Sequence, residues 1–197
     1  MLIAFDLSGV FFNDGLTEAV RTISRTFNVE EEAVRFVLNG TFSTAYRTGT
    51  IASDEFWPAA GRYLYVDNHA ALKKIFFDSY RPHQPTVALI KEIRASGLKT
   101  GYISNSPEDR ARYLEQKYRF SELFDHGIFS FEAKARKPDV KIFEAFIRKS
   151  NLNANEIVYI DDKEENITPA RTCGMTTLLF LTTELLREDL ERMGLIT

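Results

Sequence analysis

The stretch Met1-Leu2-Ile3-Ala4-Phe5-Asp6-Leu7-Ser8-Gly9-Val10-Phe11-Phe12 decides how the rest of the chain is read. Leu2 to Phe5 is an unbroken apolar run, the pattern of a strand buried on both faces in a parallel sheet. The run stops at an acid, a small polar residue and a glycine. An ionised carboxylate beside a buried strand is costly unless a metal, a cation or a row of donors compensates it. Open α/β sheets bind ligands at the carboxyl ends of their strands, so Asp6 is placed to act as nucleophile or metal ligand. The competing reading has Asp6 do no more than cap the following turn.

Working outward, Asn13-Asp14-Gly15 is a turn signal, and the pattern from there to about Tyr80 is helical. Leu16, Ala19, Val20, Ile23 and Phe27 share one helical face, and Val34, Val37 and Leu38 form a second stripe. Gly49-Thr50-Ile51 interrupts the pattern, and Ser53 reads as the N-cap of a helix carrying Phe56, Trp57, Ala60 and Leu64. Leu72, Ile75 and Phe76 mark another. The prolines in Tyr80-Arg81-Pro82-His83-Gln84-Pro85 end this run. We therefore expect an inserted helical lobe at 14–81, with 1–13 and 82–197 forming the main domain.

Beyond the prolines, helix and strand alternate. Strands are expected at Thr100–Ile103, Gly127–Phe131, Ile157–Ile160 and Thr177–Phe180, and a last helix carries Leu185, Leu186, Leu190 and Met193. Ser106-Pro107-Glu108-Asp109 has the composition of a helix start with a serine N-cap. Alternating strands and helices imply right-handed parallel crossovers, hence an α/β fold with a doubly wound parallel sheet. The strand ends then share one edge. They bring Asp6 and Ser8, Ser104 and Asn105, and Asp161 and Asp162 together, with Lys137 opening a nearby helix. Three adjacent carboxylates call for a cation, and oxygen ligands with incomplete protein coordination suit Mg²⁺. Ser104, the amides after it and Lys137 make an anion cradle. Nucleophilic carboxylate, Mg²⁺ and anion cradle together specify phosphoryl transfer through an aspartyl phosphate.

Composition narrows the alternatives. The 197 residues are 44% hydrophobic, enough for one sizeable core and a small second lobe. A net charge of -3 without a long basic run argues against nucleic-acid binding. One cysteine, Cys173, permits no intrachain disulfide and fits a reducing compartment. No stretch has the length of a membrane span, and the opening run lacks a secretory leader's features. A cytoplasmic protein, monomeric or weakly dimeric, acting on a small phosphorylated metabolite is expected.

Four motifs in order resemble those of the haloacid dehalogenase superfamily, with a Rossmann-like core: Phe5-Asp6-Leu7-Ser8-Gly9-Val10, Tyr102-Ile103-Ser104-Asn105, Arg136-Lys137-Pro138-Asp139, and Tyr159-Ile160-Asp161-Asp162 with Asn166. The helical insertion is similar to that family's cap after the first motif. Tyr46-Arg47-Thr48-Gly49-Thr50-Ile51 followed by Phe56-Trp57 resembles the cap of sugar-1-phosphatase-like members. The resemblance implies Asp6 as nucleophile and the Ser8 carbonyl, Asp162 and Asp6 as metal ligands, with Asp161 in or beside the metal shell. Ser104 and Lys137 would hold the phosphoryl group, with Ser8, Gly9 and Asn105 completing the phosphate site.

One residue departs from the pattern. Phosphatases of the family usually carry a second aspartate where this chain has Ser8, and a serine hydroxyl is a poor proton donor or acceptor at neutral pH. Three readings follow: a Mg²⁺-dependent phosphatase acting on a small metabolite such as a sugar phosphate, a metal-independent 2-haloacid dehalogenase-type hydrolase, or a catalytically weak binding or regulatory protein. The Asp161-Asp162 pair favours the first. Lys134, Arg136 and Lys141 read as an exposed face, and Phe11 and Phe12 as candidate pocket walls.

Overall fold

A computed structural model of the chain describes residues 1–196. Strand β1 (Leu2–Phe5) forms where the apolar run predicts it, and all four residues are fully buried. It is the centre of a five-stranded parallel sheet whose other members are β2 (Lys99–Ser104), β3 (His126–Phe129), β4 (Ile157–Asp161) and β5 (Thr176–Leu179), in the order β3-β2-β1-β4-β5. Phe5 pairs with Tyr102 on one side and Ile160 on the other. Successive side chains of a strand point to opposite faces, so Ile3 and Phe5 join one apolar cluster while Leu2 and Ala4 join a second. Fully burying each large apolar side chain contributes roughly 1.5–3 kcal/mol, which is why this strand admits no polar residue before Asp6.

The strand order creates a switch point. The chain leaves β1 toward β2 and β3, then crosses back to place β4 and β5 on the other side of β1. Such a reversal opens a crevice at the carboxyl ends of the two strands beside it, here β1 and β4. The Asp6 N–H donates to the Ile160 carbonyl at 2.8 Å, carrying the ladder one residue past β1 and bringing Asp6 beside the end of β4.

Between β1 and β2 lie helices α1 (Gly15–Phe27), α2 (Glu31–Asn39), α3 (Thr44–Arg47), α4 (Ser53–Leu64), α5 (His69–Asp78) and α6 (Gln84–Ala95). Among the described residues this segment contains no strand, only two isolated bridges, Ser8 with Phe12 and Phe12 with Pro82. Asn13 clasps the entry and exit of helices α1–α5: its N–H donates to the Arg81 carbonyl at 3.0 Å, and its side chain accepts from the Arg81 N–H at 2.7 Å. An aromatic chain connects the sheet to these helices through Phe11, Phe12, Tyr80, Phe76, Trp57, Phe56 and Tyr46. Phe11 and Phe12 are therefore packed inside the core rather than walling a pocket.

The remaining helices are α7 (Glu108–Tyr118), α8 (Ser130–Ala133), α9 (Val140–Ser150), α10 (Glu164–Thr172) and α11 (Thr183–Arg192). Ile142, Phe143 and Phe146 of α9 pack in the cluster of Leu2 and Ala4, while Leu89, Ile90 and Leu114 of α6 and α7 pack with Ile3 and Phe5. Leu186 and Leu190 are buried, but Leu185 of α11 and Met193, which caps its C-terminus, are exposed. Strand β3 ends two residues earlier than its apolar run predicts, because Ser130 begins a helical turn whose Glu132 carboxylate accepts the Phe129 N–H at 2.8 Å.

Two expected caps have other partners. Pro107 occupies the N-cap of α7, and the Ser106 hydroxyl accepts from Arg110 Nε at 3.0 Å. Ser53 is the first residue of α4, and its hydroxyl binds Asp109 and accepts from Lys73 Nζ at 2.8 Å. For Ser53 a tertiary contact outcompetes the cap, and for Ser106 an arginine one turn on does so. Among the described residues, no helix is long and apolar enough to cross a membrane.

Candidate active site

Asp6 is 5% exposed and its Oδ1 is pinned. The Leu7 N–H donates to it at 2.6 Å and Lys137 Nζ lies 2.8 Å from it. The loop then turns through Gly9 at φ +95, a conformation L side chains rarely adopt. A Cβ there would come within 2.5 Å of Asp162 Oδ2, so glycine also lets that carboxylate sit against the loop. The Leu7 carbonyl takes the Phe12 N–H and the Phe12 carbonyl takes the Gly9 N–H, leaving the Ser8 carbonyl outside this bonding.

Lys137 does not open a helix as its sequence position suggests. Helix α9 begins at Val140, capped by Asp139, whose carboxylate accepts the Lys141 N–H at 3.0 Å. Lys137 instead stands in the preceding loop, and Asn105 holds it from both sides: its Oδ1 accepts the Lys137 N–H at 2.8 Å while its Nδ2 donates to the Lys137 carbonyl at 2.9 Å. The buried ammonium then spans two strands, at 2.8 Å from Asp6 Oδ1 and 2.7 Å from Asp161 Oδ2. It also donates to the Tyr159 hydroxyl at 2.9 Å.

Asp161 is saturated. Its Oδ2 accepts from Lys137 and from the Tyr159 hydroxyl, and its Oδ1 from the Lys163 N–H and Asn166 Nδ2, each at 2.9 Å. Burial pushes Asp161 up, but the Lys137 charge and these donors hold it below the usual carboxylate range. Asp6 goes the other way: burial outweighs Lys137, with Asp161 adding repulsion, and pushes it up to about 7. Burial and Asp161 also raise Asp162. The Lys137 ammonium is destabilised by burial, yet Asp161 and Asp6 more than compensate and raise it.

These residues fit a hard divalent cation. One carboxylate oxygen from each of Asp6, Asp161 and Asp162 lies within 4.8 Å of the others, more negative charge than one ammonium balances. Asn166 Oδ1, buried nearby, has no hydrogen-bond partner. Because Asp161 already accepts four hydrogen bonds, the oxygens open to a cation are those of Asp6, Asp162 and the Ser8 carbonyl, a set suited to Mg²⁺.

A cavity of about 230 Å³ opens over this cluster. Asp6, Ser8, Asn105, Lys137 and Asp162 line it, whereas Gly9, Ser104 and Asp161 do not. Ser104 closes β2 with only 1% of its surface exposed. Sequence reasoning missed further lining residues, Arg35, Asn39 and Arg47 from α2 and α3 with Arg110 and Arg136. Arg136 is half-buried beside the cavity, unlike the exposed Lys134 and Lys141 with which it was grouped. Its adjacency to Lys137 was the available signal. Arg47 stands in a stretch singled out for its resemblance to known caps, but nothing in the sequence of α7 distinguishes Arg110 from a surface charge.

Residues 1–174 match the haloacid dehalogenase-like hydrolase family, and the chain belongs to it. Its five-stranded parallel α/β core is that of a hydrolase of this family. Among curated proteins, a sesquiterpene phosphatase of Aspergillus oryzae is 25% identical over 177 residues, covering 88% of this chain and 86% of that one. A glyceraldehyde 3-phosphate phosphatase of Methanocaldococcus jannaschii is 30% identical over 102 residues, covering 51% of this chain and 45% of that protein. The fold also matches a HAD family enzyme of Bacteroides thetaiotaomicron solved in complex with magnesium and inorganic phosphate, with a TM-score of 0.74 at 21% identity over 90% of this chain and 92% of that one.

Proposed function

We propose that the protein is a Mg²⁺-dependent phosphatase that hydrolyses a small phosphorylated metabolite through an aspartyl phosphate on Asp6. The observation that carries this reading is the division of labour within Asp6. Its Oδ1 is occupied by the Leu7 N–H and Lys137, whereas Oδ2 makes no hydrogen bond among the described residues, and Asp6 lines the cavity. The two phosphatase relatives and the magnesium–phosphate complex of a protein with the same fold support it. The helices of 14–81 act as the cap over the main domain of 1–13 and 82–197, since Arg35, Asn39 and Arg47 from them line the same cavity as Asp6.

Asp6 Oδ2 attacks phosphorus, the bond from phosphorus to the ester oxygen breaks, and the phosphoryl group is held on Asp6. Water then attacks phosphorus, breaking the acyl phosphate and returning the Asp6 carboxylate with inorganic phosphate. Lys137 neutralises charge on Asp6 and the transferring group, Asp161 and Asn105 orient Lys137, and Ser8, which lines the cavity, borders the phosphoryl position, with Gly9 and the buried Ser104 behind that lining. Bound Mg²⁺, held by Asp6, Asp162 and the Ser8 carbonyl with Asp161 beside them, would offset phosphate charge and keep Asp6 ionised. No carboxylate stands at Ser8 to protonate the leaving oxygen, so reaction depends on substrates whose leaving group departs readily or brings its own proton.

A panel of phosphate monoesters assayed with Mg²⁺ and with EDTA tests the reading, with Asp6→Asn alongside. Mg²⁺-dependent release of phosphate, abolished in a folded Asp6→Asn protein, is expected. Release of halide from a 2-haloacid without metal would replace the proposal with the dehalogenase reading, and silence on every ester would favour a binding role.

A further inference from the structure

The cavity that Asp6 lines is also lined by two arginines whose burial the phosphoryl chemistry leaves unexplained. Arg47 is 5% exposed and Arg110 is 2% exposed, and neither guanidinium has a carboxylate oxygen within 4.0 Å among the described residues; Asp109 reaches only the Arg110 backbone N–H, at 2.9 Å. Arg110 donates from Nε to the Ser106 hydroxyl at 3.0 Å and from Nη2 to the Asn105 carbonyl at 2.9 Å. Its guanidinium lies 4.5 Å from the centroid of the Tyr80 ring and 5.1 Å from that of Phe76. Its Nη1 is buried with no partner. Arg47 donates from both Nε and Nη2 to one acceptor, the Leu38 carbonyl near the end of α2.

An arginine can serve only to tie down a backbone carbonyl, and each of these does tie one. Burying a guanidinium for that alone is costly, however, because its charge has left water without a counter-charge. Here the cost is incurred twice in one place: burial and then Arg110 are the leading influences pushing Arg47 down, to about 9. Both residues line the cavity that Asp6 and Lys137 also line, one from the helical insertion and one from the α/β core. The planar donor forks of two arginines suit an oxyanion.

We propose that Arg47 and Arg110 form a second anion subsite, so that the preferred substrates are phosphate monoesters bearing another oxyanion, a carboxylate or a second phosphate, on the leaving group. The proposal rests on the phosphatase reading above and extends it to the far end of the substrate. Asp6 and Lys137 receive the phosphoryl group that is transferred, while the arginines hold the group that departs with the alcohol.

Matched pairs separate the two oxyanions and the control. 3-Phosphoglycerate against glycerol 3-phosphate tests a carboxylate, and fructose 1,6-bisphosphate against fructose 1-phosphate tests a second phosphate. In wild type, kcat/KM should favour the doubly anionic member of at least one pair by about 10–100-fold, the scale of a charged hydrogen bond made or lost. Arg110→Met and Arg47→Met should each bring that ratio toward unity, chiefly through KM, and Arg→Lys should restore part of it. Equal kcat/KM within both pairs in wild type would overturn the proposal, as would ratios unchanged in folded variants. Should the variants fail to fold, the wild-type ratios decide alone. Turnover of p-nitrophenyl phosphate reports separately on the phosphatase reading. If wild type turns over no ester, its thermal stabilisation by each member of a pair decides: greater stabilisation by the doubly anionic one supports the subsite, and equal stabilisation refutes it.

Discussion

Replacing Lys137 by methionine tests the electrostatics of the site without any substrate. The ammonium is 2% exposed and lies within 2.8 Å of Asp6 Oδ1 and 2.7 Å of Asp161 Oδ2. Removing one partner of a buried ion pair costs about 3–5 kcal/mol, because the remaining charge stays buried and unpaired. For a chain of this size each kcal/mol moves the melting temperature by about 2–4 °C, so Lys137→Met should melt roughly 6–20 °C below wild type at pH 8 in EDTA. The deficit should depend on pH. The folded pKa of Asp6 is raised from 3.8 to about 7, so the fold favours its neutral form, and stability linked to it declines as pH rises from the lower value through the upper. Without Lys137 that pKa rises further, and the deficit should grow from pH 5 to pH 8. Thermal melts of both proteins at pH 5, 6.5 and 8 provide the assay, with Lys74→Met, at an exposed ion pair, as a control expected to change little. A deficit under about 2 °C at pH 8, or one larger at pH 5 than at pH 8, would refute this account of the buried cluster.

Three further expectations follow from particular residues. Ser8→Asp should accelerate alkyl esters more than aryl or acyl phosphates, by up to about 10²–10⁴-fold, and a leaving-group series checks it; a flat wild-type series with no gain would shift attention to Asp14, which also lines the cavity. Mg²⁺ should raise the melting temperature of wild type, most of the rise should vanish in Asp162→Ala, and an equal rise in both would place the ion elsewhere. Burial pushes Asp109 up, but hydrogen bonds from Lys73, Ser53 and Tyr46 pull it below its ordinary value, so its stabilisation is present above about pH 4 and is lost as pH falls through the depressed value. Asp109→Asn should thus cost about 1–2 kcal/mol at pH 7 and converge on wild type in acid, as urea melts at pH 7 and pH 3 would show.

Much of the fold was legible because its signals are local. The run Leu2–Phe5, the prolines at 82 and 85 and the alternation after them all report on neighbours in sequence. The acids at the strand ends were legible for the same reason: an apolar run that stops in Asp6 or in Asp161-Asp162 needs a compensating charge. The strand order, which puts the switch point between β1 and β4, depends on which strands pair across the sheet, and no local pattern carries that. Ser106 and Ser53 illustrate the limit, since each has the composition of a cap and each is taken by a side chain distant in sequence or by an arginine one turn on. The arginine wall was hidden more completely. Arg110 sits in α7 among Glu108, Asp109 and Arg112, and only the approach of Tyr80 and Phe76 makes it a buried cation.

The most direct measurement of the central claim is to look for the phosphoryl group on Asp6 itself. With an aryl phosphate and Mg²⁺, the lack of a carboxylate at position 8 should slow hydrolysis of the phosphoenzyme and let it accumulate behind a burst of phenol. Acid quenching during the burst, followed by proteolysis and mass spectrometry, should find one phosphoryl group on the N-terminal peptide at Asp6, absent from Asp6→Asn. Steady turnover with Asp6 never phosphorylated, or with undiminished rate in Asp6→Asn, would contradict the account.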